Sequence, residues 1–355
     1  MPEPSPASVA PRRRGRLLRS GAALVVLLGV AAYLTVQYLT GGSGVPKCTV
    51  VSAAGDGTSY EFTAEQAVNA ATISAVGIHR GMPERAVTIA LATALQESAL
   101  RNLGHGDRDS LGLFQQRPSQ GWGTEQEILD PAYAAGEFYE HLDKVPDYGR
   151  LPLTVAAQRV QRSGYPEAYA KHEPDATLLA AALTGRAAAT LTCEGRPDTR
   201  PGGPESVRTA LVRDFGRGVF EEAGATVAAS SSADPTTGSS AGPSTGPSAG
   251  SSAGSSAGSS LAPSRPSVPS ASVSGSGGKR TVTLPVPKTA ATGGGQRQRG
   301  WALAHWAVAN SSALHVERVS YAGRVWTAGS TGSEWREDGP VGRKTVGEVR
   351  IVTGQ

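Results

Sequence analysis

The run from Ala229 to Gly278 limits what this 355-residue chain can fold into. It holds no aromatic residue and only two charges, Asp234 and Arg265, and repeats such as SAGSSAGSSAGSS fill it. A stretch of that composition cannot bury enough apolar surface to offset the entropy of ordering its backbone. The chain is therefore expected to fold on both sides of a Ser/Ala/Gly/Pro-rich disordered linker, residues 228–295, within which the Ala229–Gly278 run has a root-mean-square reach on the order of 40 Å.

A second uninterrupted run, GAALVVLLGVAAYLTVQYL from Gly21 to Leu39, carries no charge. At about 1.5 Å per helical residue it covers the ~30 Å hydrocarbon core of a bilayer. Arg12, Arg13, Arg14, Arg16 and Arg19 precede it, so the positive-inside rule keeps residues 1–20 in the cytoplasm as a basic tail. The span, residues 21–39, lacks a small-x-small cleavage site after it, which favours a single-pass membrane anchor over a cleaved signal peptide. The bulk of the chain then lies on the extracytoplasmic side. Apart from the arginine block the basic residues are scattered and the net charge is only +4, so no nucleic-acid partner is expected.

Both cysteines, Cys48 and Cys193, fall on the exported side, where a disulfide persists. No odd cysteine remains, and the pair brackets a coherent segment, so residues 48–193 are expected to be one domain closed by a Cys48–Cys193 bridge. Inside it the patterning is helical. Thr63-Ala64-Glu65-Gln66 is a capping box for a helix reaching His79, with Gly81 as its stop. Pro83 opens a helix to about Leu100, and Asp130-Pro131 opens another. Further helices are expected over Leu153–Arg162 and from Pro166. Strand-length Val/Ile runs are absent from residues 60–190, which predicts an all-α domain.

Residues 194–227 read as a helical extension. Residues 296–355 hold Trp301, Trp306, Trp326 and Trp335 and combine a helix with strand-like VERVSYAG, RVWTAG and EVRIVTG. A module this small needs its aromatics as core, which outweighs a stacking surface for sugar or peptide. An unknown partner for this module is kept open. The expected class is thus mainly α: a small all-α domain after a transmembrane helix, a long disordered linker, and a small α+β C-terminal module.

The functional signal is Glu97. From Ala86 to Gln96 no charge occurs, so the helix is apolar on nearly every side and central in its domain. Glu97 is the first charge met on leaving it, and partial burial is expected to raise its pKa, as a proton donor near neutral pH requires. A polar, glycine-rich loop, NLGHGDRDSLG, then returns the chain to Gly112-Leu113-Phe114-Gln115, with Gln115 18 residues beyond Glu97. An acid on one wall of a cleft and amide donors on the other is the arrangement this predicts.

At these residues the sequence resembles the lysozyme-like soluble lytic transglycosylase family and its relatives, goose-type lysozymes and resuscitation-promoting factors. That signature sets Glu-Ser near a helix end before the Gln of a Gly-Leu-Met-Gln motif; Glu97-Ser98 and Gly112-Leu113-Phe114-Gln115 match it, with Phe114 in place of Met. The likeness covers roughly residues 60–180 and implies a lysozyme-like domain that cleaves the bond between N-acetylmuramic acid and N-acetylglucosamine in peptidoglycan. It implies that Glu97 serves as acid and then base, activating the sugar's own C6 hydroxyl to give a 1,6-anhydro product. Ser98 would orient Glu97, and Gln115, with the backbone near Gly112, would hold the glycan; Phe114 and Gln116 flank that contact. The family's third motif, Ala-Tyr-Asn-x-Gly, is replaced by VAAQRVQRSGYPEAYAKH, in which Gln158 and Gln161 offer amides and Tyr165 or Tyr169 a phenol.

Two other readings compete. An inverting muramidase needs a second carboxylate about 6.5 to 9.5 Å from Glu97, for which Asp107 and Asp109 are the nearby candidates, although loop capping explains both. A wall-binding or assembly protein that does not cut would need no buried acid. His105, Asp107 and Asp109 lack any metal-ligand spacing, so no metal and no cofactor is assigned. The expected partners are peptidoglycan and the membrane.

Overall fold

The computed structural model describes residues 46–195, 203–220, 280–286, 288, 295–329, 334–339 and 347–354. The basic tail, the membrane span at 21–39 and most of the linker lie outside the described residues. Among those described, no helix is long and apolar enough to cross a membrane.

Three short strands, β1 (Lys47–Val51), β2 (Ser59–Thr63) and β3 (Leu191–Cys193), form an antiparallel sheet in the order β2-β1-β3. Cys48 lies opposite Cys193 in its register, and the two are joined in a disulfide. Strands β4 (Arg280–Pro285), β5 (Val316–Tyr321), β6 (Arg324–Thr327), β7 (Arg336–Glu337) and β8 (Glu348–Thr353) make a second antiparallel sheet, ordered β4-β8-β5-β6-β7. The expectation of a mainly α chain with an all-α domain is therefore wrong: the fold is α+β, with two antiparallel sheets. The physical reason is length and distance. LTC and KCTVV are too short to show a period-two pattern, and they pair across a sequence separation of 145 residues, which local patterning cannot report.

The helices follow their local signals more closely. Helix α1 (Ala64–His79) starts at Thr63, whose side chain accepts from Gln66 N while Gln66 Oε1 accepts from Thr63 N. Helix α2 (Glu84–Ser98) begins after Pro83 and is buried at every position from Ala86 to Leu95. It ends because Ala99 and Leu100 turn left-handed, at φ 53° and 58°. Two side chains of α1 fix that turn: Gln66 Nε2 donates to Ala99 O at 2.8 Å and Asn69 Nδ2 donates to Leu100 O at 2.8 Å. The position of Glu97 is thereby set by the neighbouring helix as well as its own. Helices α3 (Glu125–Ile128), α4 (Pro131–Asp143), α5 (Leu153–Gln161) and α6 (Glu173–Leu183) complete this part, a 3-10 segment over Pro166–His172 leading into α6.

Helix α7 (Pro204–Phe215) packs on α1, and α8 (Gln296–Ala309), followed by the short α9 (Ser311–Leu314), lies between the second sheet and the amino-terminal helices. Gly185, at φ 77°, and Gly300 allow this approach, because a methyl at the first would strike the backbone of Gln298 and at the second the ring of Tyr321. Trp301, Trp306, Trp326 and Trp335 are all buried, so they are core and not a stacking surface. Trp306 Nε1 donates to Asp214 Oδ2 at 2.8 Å, and the same buried carboxylate accepts from Thr72 on α1 and Arg213 on α7. Trp335 Nε1 donates to Leu191 O at 2.9 Å. The segments before and after the Ser/Ala/Gly run thus share one hydrophobic core. Strand β4 lies within the residues read above as linker, its Val282 and Leu284 facing that core.

His305 sits at this seam, fully buried between the rings of Trp301 and Trp335. Its Nδ1 lies 2.7 Å from Ala182 O and must donate, which leaves Nε2 as a bare lone pair in apolar surroundings. Burial pushes the imidazole down to about 4 from an ordinary 6.5. The unfolded chain therefore binds a proton at a pH where the folded one does not, so stability falls as pH drops from about 6.5 toward 4. That window is worth roughly 3 kcal/mol. Thermal unfolding from pH 7 to 4 should show this slope, and His305→Gln should flatten it, even if the variant is less stable throughout.

Candidate functional site

Glu97 occupies the last turn of α2, half-buried, and opens on a cleft of about 900 Å3. The chain from Asp107 to Arg117 contributes to the lining of the same cleft. Gly112 N donates to Leu103 O at 2.7 Å, and Leu111 and Gln116 exchange backbone bonds at 2.9 and 3.0 Å, closing a tight turn over Gly112-Leu113-Phe114-Gln115. Gly112 stands at φ 74°, and a Cβ there would meet Ile128 O at 2.7 Å, so the position demands glycine twice over.

Ser98 joins the two halves. Its buried hydroxyl lies 2.7 Å from Leu113 O, so the residue beside Glu97 anchors the turn that carries Gln115. Phe114 is fully buried and stacks on Phe138 at 4.7 Å, and its carbonyl accepts from Gln161 Nε2 at 2.7 Å. Gln116 is buried and donates to Ala134 O at 3.1 Å. Ser98, Gly112 and Phe114 therefore shape the cleft from behind, whereas Glu97, Gln115, Gln116, Gln161 and Tyr165 line it. Gln115 is half-buried and donates to Gly112 O at 3.2 Å, its Oε1 resting where any side chain at Gly106 would stand.

Tyr165 is 79% exposed and touches only the rim. The phenol that reaches the acid is Tyr169, buried in the 3-10 segment, whose hydroxyl donates to Glu97 Oε1 at 2.7 Å. Burial, with the Glu97 carboxylate beside it, pushes the Tyr169 hydroxyl well above the ordinary phenol range, so it stays a donor. The sequence offered Tyr165 and Tyr169 equally, and the packing of the 3-10 segment selects Tyr169.

Asp109 is withdrawn from the chemistry. It accepts from Arg117 Nε at 2.7 Å and from Ser119 N at 2.8 Å, and the hydrogen bonds from Ser119 and Arg117 hold its carboxyl well below the usual range. Asp107 lines the cleft with a largely exposed side chain. Trp122, its ring 4.1 Å from that of His141, forms part of the far wall and escaped the sequence reading because a single tryptophan in a glycine-rich loop carries no spacing. Among the described residues no group of three or more His, Cys, Asp or Glu is placed to hold a metal.

Residues 282–347 match a family model described as VldE, C-terminal domain. The likeness covers the region from β4 to the threshold of β8 and leaves the Glu97 cleft outside it. No curated protein matches the chain.

Proposed function

We propose that the chain is an extracytoplasmic, membrane-anchored protein that cleaves peptidoglycan as a lytic transglycosylase, with Glu97 as its single acid and base. The observation that carries this reading is the 2.7 Å hydrogen bond from Tyr169 to Glu97 Oε1 at the edge of the cleft. With Oε1 occupied, Oε2 is the atom left to carry a proton to a glycosidic oxygen and to take one back. The departure of the leaving sugar leaves Glu97 ionised, and as a carboxylate it can draw the proton from the C6 hydroxyl as that oxygen closes on C1. Gln115 and Gln161 line the same cleft as amides, the first held to Gly112 O and proposed to meet an N-acetyl group, the second tied to Phe114 O. With Asp109 spent on Arg117 and Ser119, no second carboxylate is held fixed in the cleft beside Glu97 among the described residues, which favours the intramolecular hydroxyl over an activated water.

The test is to incubate the full chain in detergent with purified peptidoglycan and to weigh the released fragments. Anhydro ends support the proposal. Reducing ends would instead point to hydrolysis with Asp107, the exposed carboxylate in the same cleft, and a chain that binds the wall but releases nothing would be the non-cutting binder.

Tyr169→Phe removes one donor from a charged acceptor and leaves the ring's burial intact. Such a bond contributes about 1.5 to 3 kcal/mol to folding, so Tm should fall by a few degrees, and the release rate should fall about tenfold or more while KM changes little. A rate equal to wild type would show that the phenol only fills space.

A further inference from the structure

The Glu97 cleft carries more basic than acidic side chains. Arg108, Arg117, Lys144, Arg159 and Arg162 line it, against two carboxylates, Glu97 and Asp107. Some of this charge is spent within the fold: Arg117 is bound to Asp109 at 2.7 Å, and Lys144 to Glu140 at 2.8 Å. Arg108 approaches Asp107 only to 4.0 Å. Arg159 and Arg162 face the cleft unmatched by a carboxylate among the described residues, unlike Arg85, Arg186 and Arg213, which are all paired.

The backbone that carries them is held in place, and both side chains are exposed. Arg162 closes α5 in the left-handed region at φ 52°, its N donating to Gln158 O at 2.8 Å, and Gln158 Nε2 returns to Ser163 O at 2.7 Å. Gln161, between the two arginines, is pinned to Phe114 O. The end of α5 is thus a rigid ledge, tied to the turn that carries Gln115, with two free guanidiniums at the cleft. A guanidinium recognises a planar or tetrahedral oxyanion with paired N–H donors, and it does so better than a scattered lysine because its fork is pre-organised.

Resting on the glycan reading above, we infer that Arg159 and Arg162 are specificity-determining residues that bind oxyanions carried along the glycan, so that the cleft selects an anionically substituted strand over a neutral one of the same sugars. The oxyanion is either a carboxylate of the glycan and its attached peptides or a phosphodiester of an attached wall polymer.

The experiment measures binding of the full chain to three insoluble probes at low salt: native wall, wall stripped of phosphate polymers by hydrofluoric acid, and stripped wall whose carboxylates have been amidated. The wild-type chain should prefer a charged probe over the amidated one by about tenfold, a margin that shrinks as salt rises. A preference kept by stripped wall assigns the anion to carboxylates, and one lost on stripping assigns it to phosphate; both support the inference. Arg159→Ala with Arg162→Ala should erase the preference, and Arg159→Lys with Arg162→Lys should restore only part of it. Equal wild-type binding to all three probes, or an alanine pair that keeps the full preference, overturns it. Fragment release without charge discrimination sinks this inference alone, and discrimination without release sinks only the catalytic reading.

Discussion

Glu97→Gln should reduce fragment release by at least about a thousandfold, because in the proposed reaction one side chain supplies both proton transfers and each is worth about a hundred- to ten-thousandfold. The substitution is nearly isosteric. Gln keeps an oxygen at the position where Tyr169 donates across 2.7 Å, so that hydrogen bond survives and the half-buried site gains no cavity. What disappears is only the ability to hold and return a proton at the second oxygen. Tm should therefore stay within about 1 °C of wild type, and binding to the wall should persist, since the lining amides and arginines are untouched. Mass-spectrometric counting of released fragments over time checks this. Release that continues at more than a few per cent of wild type would remove Glu97 from the chemistry altogether.

The path from sequence to this site was short where the signals were local. Thr63 and Gln66 form the capping box their spacing predicts, Pro83 opens α2, and Asp130 caps α4 by accepting from Ala132 N at 2.8 Å. The unbroken apolar run from Ala86 to Leu95 is buried throughout, which is why Glu97 emerges at the margin of a dry interior. The turn bearing Gln115 meets it through Ser98, as the fixed spacing suggested.

What the sequence did not show depends on residues far apart. The phenol beside the acid had two candidates, and only tertiary packing chose Tyr169 over Tyr165. Gln161 offered an amide, and the fold spends it on Phe114 O to hold the site's wall. The packing of α8 was equally hidden. From Gly300 to Ala309 it is buried all the way round, a pattern that says buried without saying against what, and the answer involves Ala182 and Asp214 from before the Ser/Ala/Gly run.

Loss of the disulfide should be the most destabilising change in the chain. Cys48–Cys193 closes a loop with a sequence separation of 145, and the loop-entropy relation gives about 5 kcal/mol for a ring of that size. Cys48→Ala with Cys193→Ala should then lower Tm by about 10 to 20 °C, and reduction of the wild-type chain with a thiol should reproduce the shift. The damage has a direction. β3 is only three residues long, is held to β1 alone, and offers Leu191 O to Trp335 Nε1. Freeing β3 loosens the C-terminal sheet and the tryptophans packed beneath it, so tryptophan fluorescence should report the first transition. The carbonyls at the end of α2 are held by Gln66 and Asn69 of α1, and their one direct tie to the first sheet is the bond of Gln66 to Thr63 of β2, a strand that the bridge does not join. Fragment release at 20 °C should accordingly stay within about twofold of wild type while the temperature of half-inactivation falls with Tm. Equal Tm values for the bridged and unbridged chains would mean that the strand pairing, and not the covalent link, closes the ring.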